Sequence, residues 1–121
     1  MSKTLVVGAT TNPSRYAFIA ANKLLSYDHQ IELIGIKKGS INNHEILDIR
    51  QKPILEDIDT ITLYIGPVHQ AEHIPYLLSL RPKRIIFNPG TENQAFIQAA
   101  NRANIEVEVA CTLVMLSAGT Y

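Results

Sequence analysis

The sequence predicts an α/β fold with a mostly parallel sheet and helices on both faces, and three observations predict it. Short apolar runs alternate with segments of helical period at spacings of roughly 20 to 30 residues, the rhythm of strands joined by helical crossovers. Ile31 to Ile36 is apolar almost throughout, as a strand covered on both faces must be. Lys3 to Arg15, KTLVVGATTNPSR, reads as a buried strand running through a small-residue loop into a helix start. Parallel strands joined this way take right-handed crossovers. The expectation is a single Rossmann-like three-layer domain over residues 1–121, with five to six strands.

Each element has its own justification. Leu5 to Val7 is a short β-rich run ended by Gly8, and Asn12-Pro13 supplies a helix N-cap followed by a residue pre-set for the first helical position. Tyr16 to Ser26 carries Phe18, Ile19, Ala21, Leu24 and Leu25 near helical period, and Tyr27-Asp28-His29 ends it. Strand Ile31 to Ile36 closes at Lys37-Lys38-Gly39-Ser40. Residues 41–59 are ambiguous: Asn42-Asn43 reads as a turn, and Ile46, Leu47 and Ile49 fit a short edge strand or a helical turn.

Thr60 to Ile65 is the third clear strand, and Gly66-Pro67 opens a helix through Leu80 that Pro75 should kink or shorten. Ile85 to Phe87 is followed by Asn88-Pro89-Gly90 and a helix start in which Thr91 and Gln94 are spaced as a capping box. That helix runs to about Ala103 with Ala95, Phe96, Ala99, Ala100 and Ala103 on its buried face, and Asn104 stands where a left-handed cap is common. Ile105 to Val109 is the last strand, and Ala110 to Tyr121 is an apolar tail.

Composition narrows the function classes. A chain of 121 residues that is 46% hydrophobic can build one sizeable core. Eleven basic residues balance eleven acidic ones, which disfavours binding to a nucleic-acid backbone. The one cysteine, Cys111, excludes an internal disulfide and suits a reducing compartment. The first strand begins almost at once, leaving no room for a signal peptide, and no apolar run has the length of a membrane span. The expectation is a cytoplasmic protein that does not enter a membrane.

In sheets of this class ligands bind beyond the carboxyl ends of the strands, where strand order reverses. Four segments should meet there: the opening loop, Lys37-Lys38, Gly66-Pro67-Val68 and Asn88-Pro89-Gly90. The loop lacks the full G-x-G-x-x-G fingerprint and the chain has no G-x-x-x-x-G-K-[ST], so an ordinary NAD or ATP site is weakened. Ala9, Thr10 and Thr11 are small enough for backbone to approach a phosphate, while the hydroxyls of Thr10, Thr11 and Ser14 and the Arg15 guanidinium add donors. The bland alternative is a capped turn with a solvated arginine. Lys37 and Lys38 are either charges for a second phosphate, as on a phosphorylated ribose, or a solvated turn.

Catalytic groups are scarce. His69 and His73 at i, i+4 would be half a metal site, but Glu72 should point to a different face and no third ligand stands nearby, so polar side chains turned to water are the better account. Cys111 follows a strand in apolar context, which favours an inert buried thiol. No Ser-His-Asp set and no carboxylate pair follows from spacing, so the enzyme question stays open, with a non-catalytic role favoured.

With GATTNPSR after the first strand, Lys-Lys after the second, Leu55-Glu56-Asp57-Ile58-Asp59 before the third and Gly-Pro after it, the chain resembles the CoA-binding domain family. These are small stand-alone proteins similar to the N-terminal domain of the succinyl-CoA synthetase α subunit. The resemblance implies CoA or acyl-CoA as ligand, with the diphosphate on Gly8, Ala9, Thr10, Thr11 and Ser14 and Arg15 as an added contact. It implies a 3′-phosphate contact by Lys37 or Lys38, and an adenine and pantetheine path along Gly66, Pro67, Val68, Asn88 and Pro89. Ile36-Lys37-Lys38-Gly39 departs from the Val-Asn-Pro-Lys type of sequence common after the family's second strand. The synthetase's further domains are absent from this chain, so the resemblance implies binding of a small-molecule nucleotide rather than ligase activity. Two alternatives stand beside it: a small NAD(P)-dependent oxidoreductase, and an interaction module with a decayed ligand site that uses Leu113 to Tyr121 as a partner surface or homodimer contact.

Overall fold

The computed structural model describes residues 3–121, and their strands form one seven-stranded sheet. The elements are β1 (Lys3–Val7), α1 (Tyr16–Ser26), β2 (Gln30–Gly35), β3 (Ser40–Ile41), β4 (His44–Asp48), β5 (Ile58–Leu63), α2 (Ile74–Ser79), β6 (Arg84–Phe87), α3 (Gln94–Arg102), β7 (Glu106–Val109) and α4 (Thr112–Ala118). The strand order is β3-β4-β2-β1-β5-β6-β7. Every pairing is parallel except the short β3–β4 hairpin. The chain leaves β1 toward β2 on one side and returns to β5 on the other, so strand order reverses between β1 and β5.

Alternation along the strands feeds two cores. Leu5, Val7, Ile34, Ile61, Leu63, Ile85 and Phe87 face α2 and α3, where Leu77, Phe96 and Ala100 complete the packing. Val6, Ile31, Leu33 and Ile46 face the other way, against Ala17, Ala21 and Leu24 of α1 and Leu116 of α4. Helices on both faces explain why the central strands read as nearly continuous apolar runs.

Several expectations need correction. The sheet has seven strands rather than five or six, because residues 41–59 hold both of the forms that the sequence left open. A parallel strand, β4, is followed by a 3₁₀ turn at Ile49–Gln51, and the two-residue β3 folds back on β4. The third and second strands begin and end one or two residues earlier than expected, at Ile58–Leu63 and Gln30–Gly35. Asn12 does not cap α1: its Oδ1 accepts from the Ser14 amide at 3.0 Å and the Ser14 hydroxyl at 2.8 Å, closing a turn, and Arg15 takes the N-cap position without a side-chain bond.

The expected helix after β5 breaks into 3₁₀ turns at Pro67–His69 and Ala71–His73, and only then becomes α2. Pro75 shortens the helix rather than kinking it: it stands in the first turn of the six-residue α2, where no amide donor is needed. The N-cap of α3 is Asn93, whose Oδ1 accepts from the amides of Ala95 and Phe96. Thr91 is spent elsewhere, donating to the Asn88 carbonyl at 2.7 Å. The inward face of α3 is Phe96 and Ala100 with Ile97 beside them, while Ala95 and Ala103 are exposed. Asn104 does take the left-handed conformation, at φ 62°.

The tail is α4, with Met115 and Leu116 buried in the chain's own core. That buries part of the apolar surface expected to meet a partner, while Val114 stays exposed. Tyr121 lies back on the sheet, its hydroxyl bonded to Thr4 Oγ1 and its ring under the Arg84 guanidinium at 4.5 Å.

Candidate functional site

The reversal of strand order opens a cavity of about 760 Å³ at the carboxyl ends of the strands. Its centre is the loop after β1. Gly8 leaves the strand at a φ of +96°, and a Cβ there would stand 3.0 to 3.2 Å from the Ile65 side chain and the Tyr64 carbonyl group. The amides of Gly8 and Ala9 both donate to the Ile34 carbonyl, at 2.9 and 3.1 Å, which straps the loop across the end of β2. This crossing requires Gly35, where a Cβ would lie 2.9 Å from the Ala9 carbonyl oxygen. Two glycines on neighbouring strands therefore let the loop lie flat beside the cavity.

Of the residues singled out in the sequence, Gly8, Ala9, Thr10, Ser14, Arg15, Lys37, Gly66 and Pro89 line this one cavity. Arg15 and Lys37 bring two cations to it, and among the described residues neither has an acidic side chain within salt-bridge distance. Thr11, Lys38, Pro67, Val68 and Asn88 do not line it. Thr11 packs its methyl group against Gly39. Lys38 lies toward Asp48, whose carboxyl is held below its ordinary value by hydrogen bonds from the Arg50 side chain and amide, with Lys38 adding charge. Val68 is fully turned to solvent at 85% exposure.

Asn88 is buried and acts as a tie. Its Nδ2 donates to Thr62 Oγ1 at 2.8 Å and to the Leu63 carbonyl at 2.9 Å, and its Oδ1 accepts from the Thr112 amide at 2.8 Å. One side chain thus joins the ends of β5 and β6 to the start of α4. Gln70 does the same for the opposite wall. It is completely buried; its Nε2 donates to the carbonyls of Ile65 and Thr91 at 2.9 and 2.8 Å, and its Oε1 accepts from Asn93 Nδ2 at 3.0 Å. The cavity's β5 and β6 loops are held in register by these two amides.

Sequence reasoning missed Tyr16, Ile36, Ile49, Tyr64, His69, Glu72, His73 and Thr91 as lining residues. The position of Ile36 beside Lys37 was available from the strand end. His69 and His73 were read on one helical face with Glu72 turned away; instead they sit on successive 3₁₀ turns, and all three face the cavity. Among the described residues no set of three or more His, Cys, Asp or Glu could hold a metal. Cys111 is half-buried at the N-cap of α4 and lies outside the cavity.

Tyr64 packs in the α1–α4 core, and its hydroxyl is buried without a hydrogen-bond partner of proper geometry. Burial pushes its pKa up to about 12, and the nearby Thr62 and Thr112 hydroxyls offset only part of that. The folded state then holds a proton that the unfolded state releases above about pH 10, so stability should fall as pH rises from there toward 12. Denaturant melts at pH 9 and 11 check this. Tyr64→Phe should flatten the decline, and an equal decline in the variant would contradict the assignment.

Fold and cavity together define a Rossmann-like domain whose opening loop and flanking cations suit an anionic ligand. Residues 2–117 match the model of the CoA binding domain, and the chain belongs to that family. A solved structure of an uncharacterised protein is 47% identical over all of this chain and 98% of its own, with a TM-score of 0.96. A Thermus thermophilus protein known as cell-free ID.343 is 22% identical over 99% of this chain and 90% of its own, with a TM-score of 0.86. A hypothetical protein from Pyrococcus horikoshii OT3 is 21% identical over 97% of this chain and 82% of its own, with a TM-score of 0.84. The last two likenesses speak to the fold alone. No curated protein matches the chain. Among the described residues no helix is long and apolar enough to cross a membrane.

Proposed function

We propose that this protein binds CoA or an acyl-CoA in the cavity beside the β1–α1 loop and does no chemistry on it. The observation that carries this is the placement of Arg15 and Lys37, two cations without acidic partners, on either side of a glycine-bearing loop in a member of the CoA-binding domain family. CoA has phosphate in two places. Its diphosphate suits the loop, where Gly8, Ala9 and Thr10 offer backbone, Ser14 a hydroxyl and Arg15 a two-pronged donor. Its 3′-phosphate suits Lys37 at the end of β2, and Gly66 and Pro89 then lie along the pantetheine arm. The protein would meet such a ligand in the cytoplasm.

Calorimetric titration with CoA and dephospho-CoA tests the assignment. A charge-assisted hydrogen bond is worth about 1.5–3 kcal/mol, so dephospho-CoA should bind roughly tenfold or more weakly. Lys37→Ala should reduce CoA affinity by a similar factor and erase the difference between the two ligands, while Lys38→Ala should keep it. Equal binding of both ligands by the natural protein would remove the proposed role of Lys37. Tighter binding of NADP than of CoA would favour a nicotinamide cofactor.

A further inference from the structure

The pairing of β5 with β6 ends at Leu63 and Phe87. Beyond it the two chains part into the loops that bound the far end of the cavity, and among the described residues no backbone-to-backbone hydrogen bond joins residues 64–70 to residues 88–93. The loops do not fill the space between them either: a Cβ added at Gly66 or Gly90 would meet nothing within 4 Å. One side chain spans the gap. The Nε2 of Gln70 donates to the carbonyls of Ile65 and Thr91 at 2.9 and 2.8 Å, and both of those residues line the cavity. Gln70 itself is completely buried and does not line it.

This joint requires an amide. A single nitrogen with two protons serves two acceptors at once, while Oε1 is oriented by Asn93 Nδ2 at 3.0 Å. A carboxylate would have no proton to give and would face both carbonyls as a further acceptor. Asn93 is in turn the N-cap of α3, its Oδ1 accepting from the amides of Ala95 and Phe96. The separation of the two loops is thus set by a chain of hydrogen bonds that ends on a helix, and parting them would leave polar groups unpaired in the interior. Gly66 and Pro89, assigned above to the pantetheine path, stand next to Ile65 and two residues before Thr91.

We propose that Gln70 is a positioning residue for the pantetheine arm: it does not touch the ligand, and it fixes the width of the slot between the Ile65 and Thr91 loops through which the arm passes. The inference rests on the CoA reading above. Calorimetric titration of the full chain with CoA and with 3′-phosphoadenosine 5′-diphosphate, which is CoA without its arm, tests it. The natural protein should bind CoA at least about tenfold more tightly than the fragment. In Q70L, where both carbonyls lose their donor, that advantage should shrink to within about threefold while the fragment binds as before. N93D keeps the α3 cap, since aspartate caps as well as asparagine, but it sets an acceptor against Gln70 Oε1 and should cut the advantage at least about threefold. It decides the matter alone should Q70L fail to fold. An equal loss of both ligands in the variants marks a purely structural role and overturns the proposal, as does a CoA advantage that survives in N93D or is absent from the natural protein. Failure of both ligands to bind the natural protein overturns the CoA reading itself.

Discussion

Replacing Gly8 by valine should abolish CoA binding and cost about 2–4 kcal/mol of stability, because it adds a side chain where both backbone and space forbid one. The residue sits at φ +96°, a region that β-branched residues do not adopt without strain. Its Cβ would press on the Tyr64 carbonyl group at 3.1 to 3.2 Å, and backbone yields less readily than a side-chain tip. The loop would have to lift, breaking the bonds from the Gly8 and Ala9 amides to Ile34. Chemical denaturation reads the stability and calorimetry reads the binding. A stable variant that still binds CoA would mean that the loop tolerates displacement, and that its flat path across β2 has no bearing on the ligand.

Asn88→Leu should destabilise the fold by about 3 kcal/mol, with little direct loss of ligand contact. The change removes two donated bonds and one accepted bond from a site that is 2% exposed. It leaves the Leu63 carbonyl and the Thr112 amide without partners, while the Thr62 hydroxyl keeps its bond to Thr112 Oγ1. The first residue of α4 loses its anchor to β6. Hydrogen exchange should therefore show α4 opening well before the central strands, whose protection follows global unfolding. Uniform loss of protection across the chain would instead place α4 within one cooperative unit.

These two residues also mark what the sequence discloses and what it hides. The order of strands and helices was legible because β1, β2 and β6 carry adjacent apolar residues that face opposite ways, because β5 alternates Ile61 and Leu63 with the buried Thr60 and Thr62, and because the α1 segment from Tyr16 to Ser26 keeps its period from end to end. The opening loop was legible from Gly8 at the exit of a buried strand and the small residues after it, whereas the helix cap read at Asn12 is a turn closed on Ser14. Asn88 was equally visible beside Pro89, yet its side chain turns inward to tie β5 to α4 and does not line the cavity. Nothing local distinguishes an asparagine that caps a turn from one that crosses a core.

Short elements were lost for a related reason. β3 spans Ser40–Ile41 and exists only because β4 is there to pair with it, so no period of its own announces it. The 3₁₀ turns after β5 carry apolar residues at spacings that also suit a helix, and what decides between the two is Gln70, bonded across to Ile65 and Thr91. That tertiary choice is what brings His69, Glu72 and His73 to the cavity. The apolar tail folds as α4 with Leu116 packed into the core on the α1 side of the sheet.

The central claim is that CoA lies across the carboxyl ends of β2, β1 and β5 with its diphosphate on the loop after β1. Amide chemical shifts of the isotope-labelled chain, followed during titration with CoA, test this most directly. The account predicts saturable shifts at Gly8 to Thr10, Ser14, Arg15 and Lys37, extending to Gly66 and Gly90, with the groove formed by Lys3, Gln30, Asp59 and Lys83 at the opposite end of the sheet unmoved. Shifts confined to that opposite groove, or none at any CoA concentration, would contradict it.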